Sequence, residues 1–545
     1  MRHTLKKKKE IGAFYTPSDV AKILSDWAIR SQEDSILEPS FGGCGFLEAS
    51  RDRLISLGCA NVSNQIYGCD IDRFAFDQLN IKFGLVNVAG RFILGDFLQV
   101  EPQSFSVEKF DAILGNPPYI SHHNMDVSQK ENAHAMLSRA DLNLSAKASL
   151  WAYFLIHGIR FIKDGGRMAW VLPGSFLNAN YGKDVHEILI KNFDKVTAIV
   201  LDERIFLLEG AEERSVIVIC ENRGAKPAND LAIHYADSVA ALEELFSSSM
   251  LSHEENKFSG RVAYDLLPND SKRALDSIFM HSAIYNFGDV ADVKIGIVTG
   301  DNKFFILNKH KFKENRLTKA TFKPIVTKFR MIAGLALTQD DIDLEVNSGM
   351  KCILVDTTNI RSNSSALIEY LETYPSDKFK ANKTFAKRKI WHKADDGNTP
   401  CAFMSYMQHN GPKIALNTAR STSTNSVHRV YFRNISKQIQ KMAAISFVST
   451  LTQISAEIEG RSYGSGVLKQ EPSEAKRIKI CLPDDMSVKD VNSLYKKIDY
   501  LLREGKLEEA RVEADAVIYA HLNISKNISL LLEETLVLLR RVRQR

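Results

Sequence analysis

The stretch FDAILGNPPYISHH, residues 110–123, carries an apolar run straight into an amide, two prolines and a tyrosine. Proline has no N–H to give to a sheet and is kept out of central strands, while Asn-Pro starts turns. The run therefore reads as a buried strand that gives way, past Leu114, to a rigid turn over Asn116, Pro117, Pro118 and Tyr119. Three earlier runs carry the same punctuation. SILEPS, QIYGCD and RFILGD reach Glu38, Asp70 and Asp96 where this one reaches Asn116. Among these runs lie DRFAFDQLNIKFGL and LWAYFLIHGIRFIKDGG, whose apolar residues recur at helical spacing. RMAWVLP, VTAIVLD and RSVIVICEN complete the series, the last a candidate antiparallel insertion. Apolar strands separated by helices imply an α/β fold, a doubly wound and mostly parallel sheet covered on both faces. Ligands of such sheets bind outside the carboxyl ends of the strands, so three acids and an amide would line one crevice. One acid after a strand is usually a helix cap. Four polar ends in succession exceed what capping alone explains.

At 545 residues the chain is too long for one ordinary domain. The pattern places the α/β domain over 1–225, a connecting region over 226–285 and a second domain over 286–545. The later part holds the strand-and-turn stretch GDVADVKIGIVTGDNKFFILNK (288–309) and a helical tail from Lys506. Its segment KFKANKTFAKRKIWHK (378–393) has seven Lys or Arg and no acid, with Phe379, Phe385 and Trp391 interleaved. A solvated helix face usually mixes in acids. Lys383, Lys387, Arg388, Lys389, Trp391 and Lys393 are therefore candidates for contacting a nucleic-acid backbone. The overall net charge, +5, permits such a partner without requiring one. Apolar residues at 44% and charged residues at 25% are ordinary for a soluble protein. No apolar run is long enough to cross a bilayer, and the start MRHTLKKKKE lacks a signal-peptide core. The seven cysteines are scattered with no CxxC pair. A cytoplasmic protein is expected, with no membrane partner, no disulfide and no metal.

EPSFGGCGFL (38–47) follows the first strand and sets Gly42, Gly43 and Gly45 beside Glu38. Its spacing is neither GxGxxG nor a phosphate loop, and a glycine turn next to an acid suits a cationic, zwitterionic ligand. Asp70 suits paired ribose hydroxyls, because an ionised carboxylate only accepts hydrogen bonds. Asp96 can accept from an exocyclic amine, with Phe97 offering a face to a purine. The parts describe a nucleoside with a charged tail, and S-adenosylmethionine fits that description. The proline turn then acquires a use. An exocyclic base amine is a poor nucleophile, because its lone pair is delocalised into the ring. Two acceptors, the Asn116 side-chain oxygen and the Pro117 carbonyl, would favour a pyramidal nitrogen, and proline brings no competing N–H. Tyr119 offers a flat ring on which a base can stack, for roughly 1–3 kcal/mol.

NPPY after the fourth strand, preceded by EPSFGGCGF and by GAFYTP (12–17), resembles the γ class of adenine-N6 DNA methyltransferases of restriction–modification systems. VKIGIVTGDNKFFIL, STSTNSVHRVYF and SYGSGVLKQEP resemble the recognition domains attached to those enzymes. The resemblance implies a class I, Rossmann-like catalytic domain that uses S-adenosylmethionine. An α+β target-recognition domain would follow, and the substrate would be an adenine flipped out of double-stranded DNA. It implies Tyr15, Thr16 and Pro17 about the methionine part of the cofactor, together with Glu38 and the loop of Gly42, Gly43 and Gly45. Asp70 would hold the ribose, Asp96 and Phe97 the cofactor's adenine. Asn116, Pro117, Pro118 and Tyr119 would hold the target base. Tyr181 in NANYGKD is the expected aromatic on that base's other face, with Phe176 as the fallback. The glycine loop departs from the commoner Gly-x-Gly form, and Cys44 within it is expected to be a small packed residue rather than a nucleophile. The FYTP motif begins by residue 14 and leaves no room for a nuclease ahead of it. Modification without cleavage is expected, with any cognate restriction endonuclease on a separate chain and the enzyme itself a monomer. NPPY also occurs in glutamine-N5 methyltransferases acting on protein. Methylation of RNA or protein is thus the rival reading, against which the large second part weighs.

Overall fold

The computed structural model describes residues 16–84, 90–140, 142–179, 181–201, 215–247, 257–358, 365–463 and 466–544. The chain folds as two compact units, divided between Leu266 and Leu267.

The first unit is built on strands β1 (Ile36–Pro39), β2 (Ile66–Asp70), β3 (Phe92–Leu94), β4 (Phe110–Gly115), β5 (Ile162–Pro173), β6 (Phe193–Leu201), β7 (Ser215–Arg223) and β8 (Leu231–Ala236). They form one sheet in the order β3-β2-β1-β4-β5-β7-β6-β8. β3, β2, β1, β4 and β5 pair in parallel with one another. β7 is antiparallel to both β5 and β6, so RSVIVICEN is an inserted strand. Helices α1 (Ser18–Ala28), α2 (Gly45–Ser56), α3 (Arg73–Phe83), α4 (Val127–Ala140), α5 (Leu150–Gly158), α6 (Ser175–Asn178), α7 (Gly182–Asn192) and α8 (Val239–Ser247) accompany the sheet. Parallel strands need crossovers, which bring helices onto both faces, and β1 and β2 are accordingly buried along their full lengths. Successive residues go to opposite sides. Leu37, Tyr67 and Ile113 join one apolar core, and Ile36, Ile66 and Ala112 join the other. The strand order reverses between β1 and β4, which opens a crevice at their carboxyl ends. The stretch expected to connect the domains instead supplies β8, parallel to β6, and α8 to this unit.

Local chemistry fixes the strand ends. Asp72 caps α3 by accepting from the Phe74 amide at 3.0 Å, and Gly84, with φ of 58°, closes it. A Cβ on Gly115 would lie 2.9 Å from the fully buried Trp170 ring. Only glycine lets the end of β4 pass over that indole.

The second unit is α/β, with several small sheets. The largest has five strands in the order Ala291–Lys294, Val427–Phe432, Ala402–Ser405, Ile414–Asn417, Ala336–Leu337. A four-stranded sheet contains Phe322–Val326 and Thr422–Ser423, paired in parallel. KIGIVTG and STSTNSV meet here: the Ile297 amide donates to the Ser423 carbonyl at 2.7 Å. The C-terminal part is helical over Val488–Arg503, Leu507–His521 and Lys526–Gln544.

Candidate active site

The loops after β1, β2, β3 and β4 converge on a cavity of about 1240 Å³. That exceeds the ~300–1,000 Å³ of a pocket for a single small ligand. Thr16, Glu38, Gly42, Gly43, Gly45, Asp70, Asp96, Phe97, Asn116 and Pro118 all line it. Pro17, Pro117, Tyr119 and Tyr181 are not on its wall, and Tyr15 lies outside the described residues. Each acid holds backbone N–H groups as a cap would, and each also faces the cavity. Glu38 accepts from the Leu47 amide in the first turn of α2 at 3.0 Å. Asp70 accepts from Gly42 and from Asp72, both at 2.8 Å. Asp96 accepts from Leu98 at 3.0 Å and from the Asn132 side chain at 2.7 Å. Capping and ligand-facing roles therefore coexist in the same side chains.

Burial raises the Glu38 carboxyl well above the usual carboxylate range, and it raises that of Asp70 as well. Buried acids of this kind gain from a cationic ligand that compensates for lost hydration. Burial also pushes the Cys44 thiol up, so this side chain is inert rather than nucleophilic. The glycine loop is tightly wound: Ser40, Gly42 and Cys44 have φ of 98°, 43° and 65°. Its strain is held by hydrogen bonds. The Ser40 amide donates to the Cys69 carbonyl at 2.7 Å, and its hydroxyl donates to the Asn116 carbonyl at 3.3 Å. The Asn116 amide in turn donates to the Thr16 hydroxyl at 3.2 Å, which ties the start of α1 to the proline turn. Tyr119 is half-buried and donates to the Val171 carbonyl on β5 at 3.0 Å. Tyr181, also half-buried, donates to the Ser149 hydroxyl at 2.9 Å and packs against Trp151. Phe176 is fully buried between Trp151 and His186, which leaves Tyr181 the more accessible ring.

Ile71, Lys82 and Phe154 are among the cavity residues that escaped the sequence reading. Ile71 directly follows Asp70 and is 71% exposed, although it is a large aliphatic side chain. An apolar residue in a polar strand end was the available signal. Lys82, on α3, donates to the Gly43 carbonyl at 2.9 Å and pairs with Glu48, bracing the glycine loop. Phe154, on α5, adds an apolar wall and packs against Phe97. Acids at three strand ends, glycine backbone and apolar faces from Ile71, Phe97 and Phe154 fit a cationic nucleoside such as S-adenosylmethionine.

In the second unit the basic segment separates into two kinds of residue. Lys383, Lys387, Lys389 and Lys393 are exposed and make no ion pair among the described residues. Arg388 is turned inward. Its guanidinium donates to the carbonyls of Thr299 at 2.9 Å, Trp391 at 3.0 Å and Val298. Trp391 packs among Phe305, Tyr374, Phe379 and Phe385, at ring distances of 5.1–5.9 Å. Of the interleaved aromatics, Phe385 is buried and Trp391 half-buried in this cluster, whereas Phe379 is 42% exposed.

Residues 1–259 match the N-6 DNA Methylase family, and residues 259–519 match the C-terminal domain of Type II methyltransferase M.Eco57I. The chain is 24% identical over 525 residues to Type II methyltransferase M.AccI of Acinetobacter calcoaceticus, with 92% of each chain covered. It is 22% identical over 478 residues to Type II methyltransferase M.XamI of Xanthomonas campestris pv. amaranthicola, covering 86% of this chain and 85% of that one. In fold it is similar to the Type IIL restriction-modification enzyme MmeI, solved in complex with DNA. There the TM-score is 0.56 at 12% identity, over 99% of this chain and 80% of that chain.

Proposed function

The chain belongs to the N-6 adenine DNA methylases, as a type II methyltransferase of restriction–modification systems, and we propose that it methylates an adenine swung out of the duplex into the cavity at the ends of β1, β2, β3 and β4. A stacked base cannot present its amine to that cavity, and extrusion costs a few kcal/mol. The observation that carries the reading is the convergence of Asn116 and Pro118 with Glu38, Asp70 and Asp96 on one cavity larger than a single small ligand needs. Thr16, Glu38 and the glycine loop would hold the charged end of S-adenosylmethionine. Asp70 would take its ribose, and Asp96, Ile71 and Phe97 its adenine. Bound there, the cofactor supplies an electrophilic methyl group on a sulfonium.

The protein's own work is positioning and electrostatics. The Asn116 side-chain oxygen and the Pro117 carbonyl accept the two N6 hydrogens of the target and favour a pyramidal nitrogen. Pro117 and Pro118 keep the turn rigid and bring no N–H to compete for those acceptors. Tyr119 and Tyr181 stand off the cavity wall, and on this reading their rings meet the two faces of the base only once it has entered. Ser40 braces the turn through the Asn116 carbonyl. In the second unit, Lys383, Lys387, Lys389 and Lys393 contact phosphates of double-stranded DNA and offset the cost of extrusion. Arg388 and Trp391 support that surface from beneath. The enzyme acts as a monomer.

Long-read sequencing of DNA from a methylation-free host expressing the chain tests this reading. N6-methyladenine at one short motif is the expected result. Unmodified DNA, from protein that is folded and binds S-adenosylmethionine, would overturn it in favour of RNA or protein as substrate.

A further inference from the structure

We infer that Asn132, on α4, is a positioning residue that aims the Asp96 carboxylate at the exocyclic amine of the cofactor's adenine, and that Gln99 holds Asn132 in place. The inference rests on the reading of Asp96 given above. Asp96 lines the cavity, whereas Asn132 and Gln99 do not, so the amide reaches the carboxylate from outside the ligand space. Asn132 Nδ2 donates to Asp96 Oδ2 at 2.7 Å, and Gln99 Nε2 donates to Asn132 Oδ1 at 2.8 Å.

The carboxylate dictates the orientation of both amides. It can only accept, so Asn132 must turn its NH2 toward Asp96 and its oxygen away. That oxygen meets the Gln99 NH2 on the exposed side of the pair. Of the roughly four lone-pair positions on an ionised carboxylate, Leu98 and Asn132 fill two, which leaves two for a ligand. Without Asn132, Asp96 would be anchored by the Leu98 amide at one oxygen alone, and its terminal torsion is soft. Aimed acceptors suit an amine and repel a 6-oxo purine. The seat is firm on the helix side too: Arg139, also on α4, donates to the Leu98 carbonyl at 2.7 Å and pairs with Glu101 at 3.1 Å. The helix that follows the NPPY turn in the chain thereby takes part in recognising the cofactor's base.

The test is isothermal titration of the full-length protein with two probes, S-adenosylhomocysteine and its analogue carrying purine in place of adenine, which lacks the 6-amino group. Asn132→Ala is expected to bind S-adenosylhomocysteine about tenfold more weakly and the 6-deamino analogue as well as wild type does. Asn132→Leu, which keeps the bulk and removes the amide, is expected to behave alike. Equal losses for both probes in both variants would overturn the inference, because Asn132 would then support the fold and not the amine contact. Asp96→Ala with unchanged affinity for S-adenosylhomocysteine would overturn the reading of Asp96 itself. A weakened Asp96→Ala beside an unchanged Asn132→Ala would overturn the role of Asn132 alone.

Discussion

The acids of the first unit and the lysines of the second sit in opposite surroundings. Glu38 and Asp70 are buried, and each already accepts a backbone N–H. Lys383, Lys387, Lys389 and Lys393 are exposed and hold no ion pair among the described residues. A buried acid has met its desolvation cost in folding and waits in fixed geometry for one small cation. An exposed lysine answers to charge density, tolerates many geometries and is screened by salt. On the proposed reading, one chain carries a shape-sensitive site for a small ligand and a sequence-indifferent grip for a polymer.

The strongest way to break this contrast is at the proline turn of the first unit. Asn116→Ala should cut methyl transfer by roughly 10²–10³-fold, the scale for losing one preorganised polar contact to a reacting group. Binding of DNA and of S-adenosylhomocysteine should stay near wild type, as read by anisotropy and calorimetry. Equal loss of rate and binding in a folded variant would remove Asn116 from the chemistry. Next in size, Asp70→Ala strips a carboxylate from two backbone amides as well as from the ligand. It should weaken S-adenosylhomocysteine by roughly 10–100-fold, on the ~1.5–3 kcal/mol scale of charged hydrogen bonds, while leaving the salt dependence of DNA binding unchanged.

A buried acid in the second unit sharpens the comparison from the other side. Asp515 accepts from the amide and hydroxyl of Thr450 at 2.8 and 2.6 Å, and burial pushes its carboxyl up to about 6. The folded state therefore prefers it protonated. That preference stabilises fully below the unfolded value near 4 and is lost as pH climbs through about 6, by roughly 1–3 kcal/mol. Urea unfolding of wild type should fall behind Asp515→Asn across that window, and parallel curves would sink the assignment. The smallest effect separates lysine from arginine. Replacing Lys387 and Lys389 by Ala should lower the slope of log K against log salt by about 0.9 each, with little preference among sequences. Arg388→Ala should lower thermal stability and spare the slope, since its guanidinium is spent on the carbonyls of Val298, Thr299 and Trp391.

The first unit was legible because its rules are local. A strand buried on both faces must be apolar, and its end must turn polar, so Glu38, Asp70, Asp96 and Asn116 announced themselves in order. The inserted β7 was legible only as a candidate, since its direction follows from its pairing with β5 and β6. β8 was not legible, because its run LAIHYA lies beyond the motif-bearing stretch. Asn132 and Lys82 were hidden for another reason: their partners, Asp96 and Gly43, are 36 and 39 residues away. The same distance effect governs the second unit. Arg388 reads as one more positive charge in a basic run, and only the approach of Val298, 90 residues upstream, turns it into a structural tie.

Ser40 has one more consequence. A serine with φ of 98° sits where glycine would be at ease, at a cost of about 1–3 kcal/mol. The side chain that makes the conformation costly also supplies the hydroxyl that reaches the Asn116 carbonyl. The glycine loop therefore cannot relax without releasing the proline turn. In hydrogen-exchange terms, the amides of the two segments should open as a single cooperative unit with one rate. Ser40→Gly should split that unit into two independent openings, leaving each loop folded and the pair uncoupled.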